Sequence, residues 1–407
     1  MQDATRLSQR EFVAMMAMLF ATTALSIDAM LPALPAIAAE LTPGNVNNAQ
    51  LVISLFFAGL GFGTLIAGPV SDAVGRKLTL LVCAGIYLVG TVLCTVAHSL
   101  ELLLFARFLQ GVGACGPRAV GMAVIRDMYR GRDMAQIVSF VMMVFALVPA
   151  AAPLMGQIVL QFGSWRLIFV AFFVFAILIQ IWVAIRQPET LPPDQRRPLQ
   201  FALLVQSGRE LMHHRTALIS IACQALTQGC LLATLSSQQG IFEQRFDRAG
   251  TFPLWFAFIA LCSISGSFIN SRTVVQFGMR RVLVATYVAQ VSLTLAVLTL
   301  DATGVMPEAL VFPAHILWSI GIFAMMGLSM GNLNALAMED LGHIAGFAAS
   351  AIAALSTMGA VLIAVPVGLA FNGTQIPLMM GVAVFSVLSL TLIQFAPKTA
   401  AARQSNR

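Results

Sequence analysis

Residues 51–94 read LVISLFFAGLGFGTLIAGPVSDAVGRKLTLLVCAGIYLVGTVLC. Two apolar runs, 50–70 and 78–97, flank a short turn that carries Asp72, Arg76 and Lys77. Each run is about 20 residues, the length a helix needs to cross a hydrocarbon core at about 1.5 Å per residue. Neither alternates apolar with polar residues, as a transmembrane strand would. Lipid offers no partner for open backbone groups, so each span must be a helix. The stretch reads as two membrane helices joined by a charged turn.

The same reading extends across the chain. Ten further runs lie at 12–34, 101–124, 135–160, 166–186, 216–237, 252–270, 282–300, 311–336, 344–369 and 376–396. Of 407 residues, 59% are hydrophobic and 10% charged, against about 25% charged in soluble domains. The mean hydropathy is +0.88. So little charge cannot cover a soluble surface, which excludes a soluble enzyme, a nucleic-acid-binding domain, a disordered chain and a secreted disulfide scaffold. The fold class is an all-α polytopic membrane protein with 12 transmembrane helices. The first run reads as a span and not as a removed signal. Cys83, Cys94, Cys115, Cys223, Cys230 and Cys262 fall inside apolar runs and read as free thiols acting as small hydrophobes. His98, His213, His214, His315 and His343 are scattered near span ends, so no metal site and no cofactor is expected.

Lysine and arginine placement orients the chain. With both termini cytoplasmic, the inner segments hold Arg6, Arg10, Arg76, Lys77, Arg126, Arg130, Arg132, Arg186, Arg196, Arg197, Arg209, Arg215, Arg272, Arg280, Arg281, Lys398, Arg403 and Arg407. The outer segments hold only Arg166, Arg245 and Arg248, and Arg107 and Arg118 lie within a span. The net charge of +6 is therefore an insertion signal facing the inner leaflet, and no nucleic-acid partner is implied. The location expected is the bacterial inner (cytoplasmic) membrane.

The longest polar stretch, RQPETLPPDQRRPLQ at 186–200, separates spans six and seven. It predicts a six-helix half over 1–186, a cytoplasmic linker over 187–215 and a second six-helix half over 216–407. The basic turn at Gly75–Lys77 has a counterpart at Gly278–Arg281, half a chain away. Two pseudo-symmetric six-helix halves with a site between them near the midplane form a recurrent secondary-transporter plan.

The turn GPVSDAVGRK, Gly68–Lys77, resembles the signature loop of the major facilitator superfamily, G-x-x-x-D-R-x-G-R-[RK]. RFLQGVGA, Arg107–Ala114, is similar to that superfamily's span-four motif. IDAMLPALPAIA at 27–38 and PETLPP at 188–193 resemble its Bcr/CflA branch of drug:proton antiporters. Two departures stand out. Ala73 replaces the usual Arg, and the span-five antiporter motif survives only as VPAAAPLMGQ at 148–157. The resemblance implies that Gly68, Asp72, Gly75, Arg76 and Asp127 latch the halves in one conformation and release in the other. Gly75 would supply a tight turn with positive φ. The bland alternative is a solvated loop that only sets topology.

Ionisable groups within spans are costly and are functional candidates by default. Asp28, Arg107 and Arg118 are the clear ones. Asp28 lies roughly 24 Å from the inner edge of span one, and Arg107 roughly 9 Å from the outer end of span four. The two fall at similar depth and could meet as a proton-coupling pair, unless Asp28 merely caps span one where Pro32 and Pro35 break it. Arg107, Gly111, Ala114 and Arg118 fall in one stripe at about 100° per residue, which predicts a cavity wall or a close helix contact. Pro117 could loosen its inner end. Gln110 flanks the stripe. Arg118, Gln110, Gln224 and Gln228 are the substrate-binding candidates, with helix–helix hydrogen bonding as the alternative for the glutamines. Asn332 and Asn334 are further polar candidates. Two arginines against one acid disfavour purely cationic cargo.

No Walker A sequence is present, no acid–base–nucleophile cluster shares one depth, and no charge ring marks a channel. The function expected is secondary active transport, not enzymatic: export of small amphipathic compounds in exchange for protons by alternating access. A proton-linked or facilitative carrier for a specific metabolite is the alternative. The partners expected are a small-molecule substrate, protons and membrane lipid, with the chain acting as a monomer.

Overall fold

A computed structural model describes residues 7–196 and 199–395. Arg6, Arg197, Lys398, Arg403 and Arg407, which contribute to the charge count, lie outside them. Twelve helices are long and apolar enough to cross a membrane. We label them α1 (Gln9–Leu41), α2 (Val46–Val74), α3 (Arg76–Thr95), α4 (Leu100–Met128), α5 (Gly131–Leu160) and α6 (Arg166–Arg186) in the first set. The second set is α7 (Arg215–Gln244), α8 (Ala249–Phe277), α9 (Met279–Asp301), α10 (Glu308–Met338), α11 (Gly342–Leu369) and α12 (Ile376–Gln394). Twelve crossings return the last helix to the face where the first began, and this is called the terminal face below. The chain is a multi-pass membrane protein.

Sequence chemistry accounts for the interruptions. Regular helix stops in α1 at Asp28, and a 3-10 turn at Leu31–Ala33 carries it past Pro32 before helix resumes at Leu34. In α4, Pro117 opens a π-turn over Pro117–Gly121, since proline removes a donor and crowds the preceding turn. Gly75 joins α2 to α3 at φ 112°, and Gly278 joins α8 to α9 at φ 80°, a backbone region where a side chain is strained. The two basic turns thus share one backbone solution. The expected linker between α6 and α7, 187–215, is not uniform coil. It contains an amphipathic helix, Phe201–His213.

Packing is closest between α2 and α4. A Cβ on Gly59 would strike the carbonyl of Phe108, and one on Gly111 would strike that of Phe56. Gly59, half of the Gly59–Gly63 pair in span two, therefore serves backbone approach within the bundle. Both ends of α1 are clipped to α6: Glu11 accepts from Arg186 at 2.7 Å, and Glu40 from Arg166 at 2.7 Å. The two sets of helices meet along α2 against α11 and α5 against α8. All six cysteines are free thiols, five of them buried.

Candidate functional site

Arg107 on α4 is fully buried and contacts α1, α2 and α6 directly and α3 through Gln110. Its Nε donates to the Val52 carbonyl on α2 at 3.1 Å, Nη1 to Gln110 Oε1 at 2.6 Å, and Nη2 to the Ser26 carbonyl on α1 at 3.1 Å. The guanidinium also lies 4.4 Å from the Phe56 ring centre and 5.9 Å from that of Phe169 on α6. Gln110 passes the network on, donating from Nε2 to Thr91 Oγ1 on α3 at 2.8 Å. Ser26 Oγ meets the Tyr87 hydroxyl at 2.6 Å. No carboxylate takes part.

Two expectations change here. Asp28 and Arg107 do not pair: no ion pair joins them, and Arg107 spends its donors on carbonyls and an amide. Ser26 and Asp28 are two residues apart, about 200° around a helix at about 100° per residue, so their side chains leave α1 on opposite sides. Similar depth did not imply contact. Gln110 is 0% exposed and has both ends of its amide engaged, so it acts as a support for Arg107 and not as a wall open to cargo.

Asp28 stands apart. It is 5% exposed and is the last residue of regular helix in α1. Among the described residues its carboxyl has no hydrogen-bond or ion-pair partner, so it does not cap the break. The next residue, Ala29, presents its carbonyl to Gly156 on α5, where a Cβ would clash. Arg118 differs again. It sits in the π-turn and is exposed, with no protein partner among the described residues. The expected stripe divides accordingly. Arg107, Gly111 and Ala114 are buried in helix contacts, while the π-turn re-aims Arg118 toward open space.

In the second set, Gln224 is 3% exposed and its Nε2 has no partner. Gln228 donates to Ser356 Oγ and accepts from Thr357 Oγ1 on α11, both at 3.2 Å. Asn332 bonds Asn270 on α8 at 2.8 Å, and Asn334 is exposed. Thr227 Oγ1 meets the Tyr287 hydroxyl at 2.8 Å, the counterpart of Ser26 and Tyr87. Sequence reading missed a buried chain nearby: His315 Nδ1 to Gln375 Oε1 at 2.8 Å, then Gln375 Nε2 to Asp301 Oδ2 at 3.0 Å. Its only sequence signal was a histidine within an apolar run.

The charged turn forms a tight cluster. Arg76 bonds Asp72 at 2.5 Å, Asp127 at 3.0 Å and Ser71 Oγ at 2.6 Å. Glu189 of the linker accepts from the Arg76 and Lys77 backbone N–H groups at 2.9 and 3.2 Å, capping the start of α3. Gly75 leaves room for that carboxylate. Every bonded partner of this cluster belongs to the first six helices or the linker. Gly68 alone reaches the second set, lying against Ser350.

The hydrogen bonds that do cross between the sets, among the described residues, all lie at the face opposite the termini. Asn47 Nδ2 donates to the Leu369 and Phe371 carbonyls at 3.0 and 2.7 Å. Gln157 Nε2 donates to the Gly250 carbonyl at 3.1 Å, and Ser237 Oγ to Gln50 Oε1 at 3.5 Å. Hydrogen bonds thus bridge the two sets at the far face, while toward the terminal face Arg118 and Asn334 are exposed.

Comparison with known proteins agrees with this architecture. The family model described as Major Facilitator Superfamily matches residues 15–365. An uncharacterised MFS-type transporter, YdgK of Bacillus subtilis, is 29% identical over 81% of this chain and 82% of its own length. Multidrug resistance protein MdtL of Klebsiella pneumoniae is 30% identical over 60% and 61%. A bicyclomycin resistance protein homolog of Haemophilus influenzae is 26% identical over 83% of each. The crystal structure of a D-xylose–proton symporter superposes with a TM-score of 0.75 at 13% identity, covering 96% of this chain and 98% of that one, a likeness of fold.

Proposed function

The chain belongs to the Major Facilitator Superfamily, and from that premise we propose that it exports small amphipathic, drug-like compounds in exchange for protons by alternating access. It is a transporter and not an enzyme. The observation that carries the coupling is Asp28: a carboxyl 5% exposed, beside the bend of α1, with no counter-charge bonded to it. An unpaired charge so placed is costly. Gaining or losing a proton there therefore biases which face is open.

The site is divided by role. Asp28 carries the proton. Arg107 holds α1, α2, α4 and, through Gln110, α3 in register around it. Arg118, with no protein partner, is free to meet a polar or anionic group on cargo, and Gln224 and Gln228 line the opposite side. The relatives named for multidrug and bicyclomycin resistance support a drug-like cargo. The Asp72–Arg76–Asp127 cluster acts as a latch through the linker, since Glu189 binds both Arg76 and Lys77. The basic turns support a cytoplasmic terminal face, with both termini, in a bacterial inner membrane, and the proposed working unit is a monomer.

A carrier for one metabolite is the second reading, favoured by the loss of most of the span-five antiporter motif. A growth-inhibition panel in a pump-deficient host, with and without a proton uncoupler, separates the two. Protection that the uncoupler removes supports antiport. Absence of protection across the panel supports the metabolite carrier.

A further inference from the structure

One cavity lies at the terminal face, where the linker meets α4 and α5. It has about 430 Å³ and is lined by Arg126, Arg130, Tyr129, Met134, Thr190 and Gln195, among others. Two guanidinium groups share this one hollow. Among the described residues neither Arg126 nor Arg130 has an ion pair or a side-chain hydrogen bond. The nearby acids do not neutralise them equally. Asp127 is taken by Arg76 at 3.0 Å and by Thr190 at 3.2 Å, and Glu189 by backbone N–H groups. Asp133, in the first turn of α5, does not line the cavity. Arg130 is also the N-cap of the thirty-residue α5 and provides no side-chain cap, so the first N–H groups of that helix open toward the same hollow.

The surroundings indicate which anion fits. The pocket sits at the membrane edge of the basic face. Above it α5 is apolar and exposed at Phe140, Met143 and Leu147, a surface suited to an acyl chain. The polar roof, Thr190 to Gln195, comes from the linker. We propose that this cavity binds the phosphate of an anionic phospholipid, with Arg126 and Arg130 as its ligands and the acyl chains along α5. Because Thr190 in the roof donates to Asp127, which in turn pairs with Arg76, a seated headgroup presses on the same cluster that braces α2 and α3. This inference is independent of what the transporter carries.

The test is lipid retention. The full-length protein is reconstituted in nanodiscs of phosphatidylethanolamine with phosphatidylglycerol and cardiolipin, released, and weighed by native mass spectrometry. Wild type is expected to retain anionic over zwitterionic lipid, and R126Q/R130Q to lower that ratio by about thirtyfold, since each of the two basic groups near an anionic surface adds about 1 kcal/mol. R209Q/R215Q, an equal loss of charge on the same face, is expected to retain lipid as wild type does. Equal retention by wild type and R126Q/R130Q overturns the site, as does equal loss in R209Q/R215Q. Thermal unfolding in a zwitterionic detergent checks that each variant is folded. Full protection by inorganic phosphate without lipid overturns the lipid assignment.

Discussion

The two halves of the molecule carry the same hydrogen-bonded scaffold around different hearts. In the first, Ser26 on α1 meets Tyr87 on α3; in the second, Thr227 on α7 meets Tyr287 on α9. Thr91 on α3 accepts from Gln110 at 2.8 Å, and Thr294 on α9 accepts from Trp318 Nε1 at 2.9 Å. Between these shared features the first half buries a cation, Arg107, held by two main-chain carbonyls and an amide. The second half buries Trp318, a neutral side chain with one donor. The two halves share these joints and differ in the chemistry between them. One half holds Asp28, Arg107 and Arg118 within its spans; the other buries Trp318 and the His315–Gln375–Asp301 chain.

That comparison can be broken at its strongest point. Arg107→Ala leaves two carbonyls and the Gln110 amide oxygen buried without a donor, and should cost about 3 kcal/mol or more. A fall in thermal midpoint and in membrane yield would be measured against wild type. Arg107→Lys should recover only part, since one ammonium cannot reproduce the fork. Asp28→Asn should remove proton-coupled export in vesicles while leaving the thermal midpoint near wild type, because no bonded partner is lost. Uphill pumping at the wild-type rate would dismiss Asp28 as the carrier.

Trp318→Phe sharpens the other side. It deletes the one hydrogen bond that Trp318 makes, with an expected loss of about 1 kcal/mol. If it matched Arg107→Ala, the asymmetry between the halves would not be energetic. Arg118→Ala should change stability by less than about 0.5 kcal/mol, having no partner to strand. It should still alter which compounds are exported in the growth panel. Uniform loss of all cargo together with proton coupling would remove Arg118 from the binding side.

Much of this was legible in the chain before any coordinates. Hydropathy runs marked the twelve spans, with ends within seven residues of the helices' own, because lipid permits few other solutions. The Gly75 and Gly278 turns announced the duplication, and Pro32 and Pro117 marked both helix breaks. The failures share one cause. Depth along a helix follows from counting residues, but direction around it is sensitive to every irregularity, so Asp28 and Arg107 at one level point apart. Counting also does not show that an arginine will be satisfied by main-chain carbonyls, as at Val52 and Ser26. Contacts across more than a hundred residues, such as Glu189 on Arg76, had no local sign beyond the PETLPP stretch. The His315–Gln375–Asp301 chain was invisible because its members lie on three segments.

The bonds that close the far face have an uneven ancestry. Asn47 and Gln157 supply amide donors, whereas Leu369, Phe371 and Gly250 supply only peptide oxygens. Any residue at those three acceptor positions would offer the same oxygen. Substitution at those three positions therefore leaves these bonds intact, while Asn47, Gln157 and the Ser237–Gln50 pair contribute through side chains.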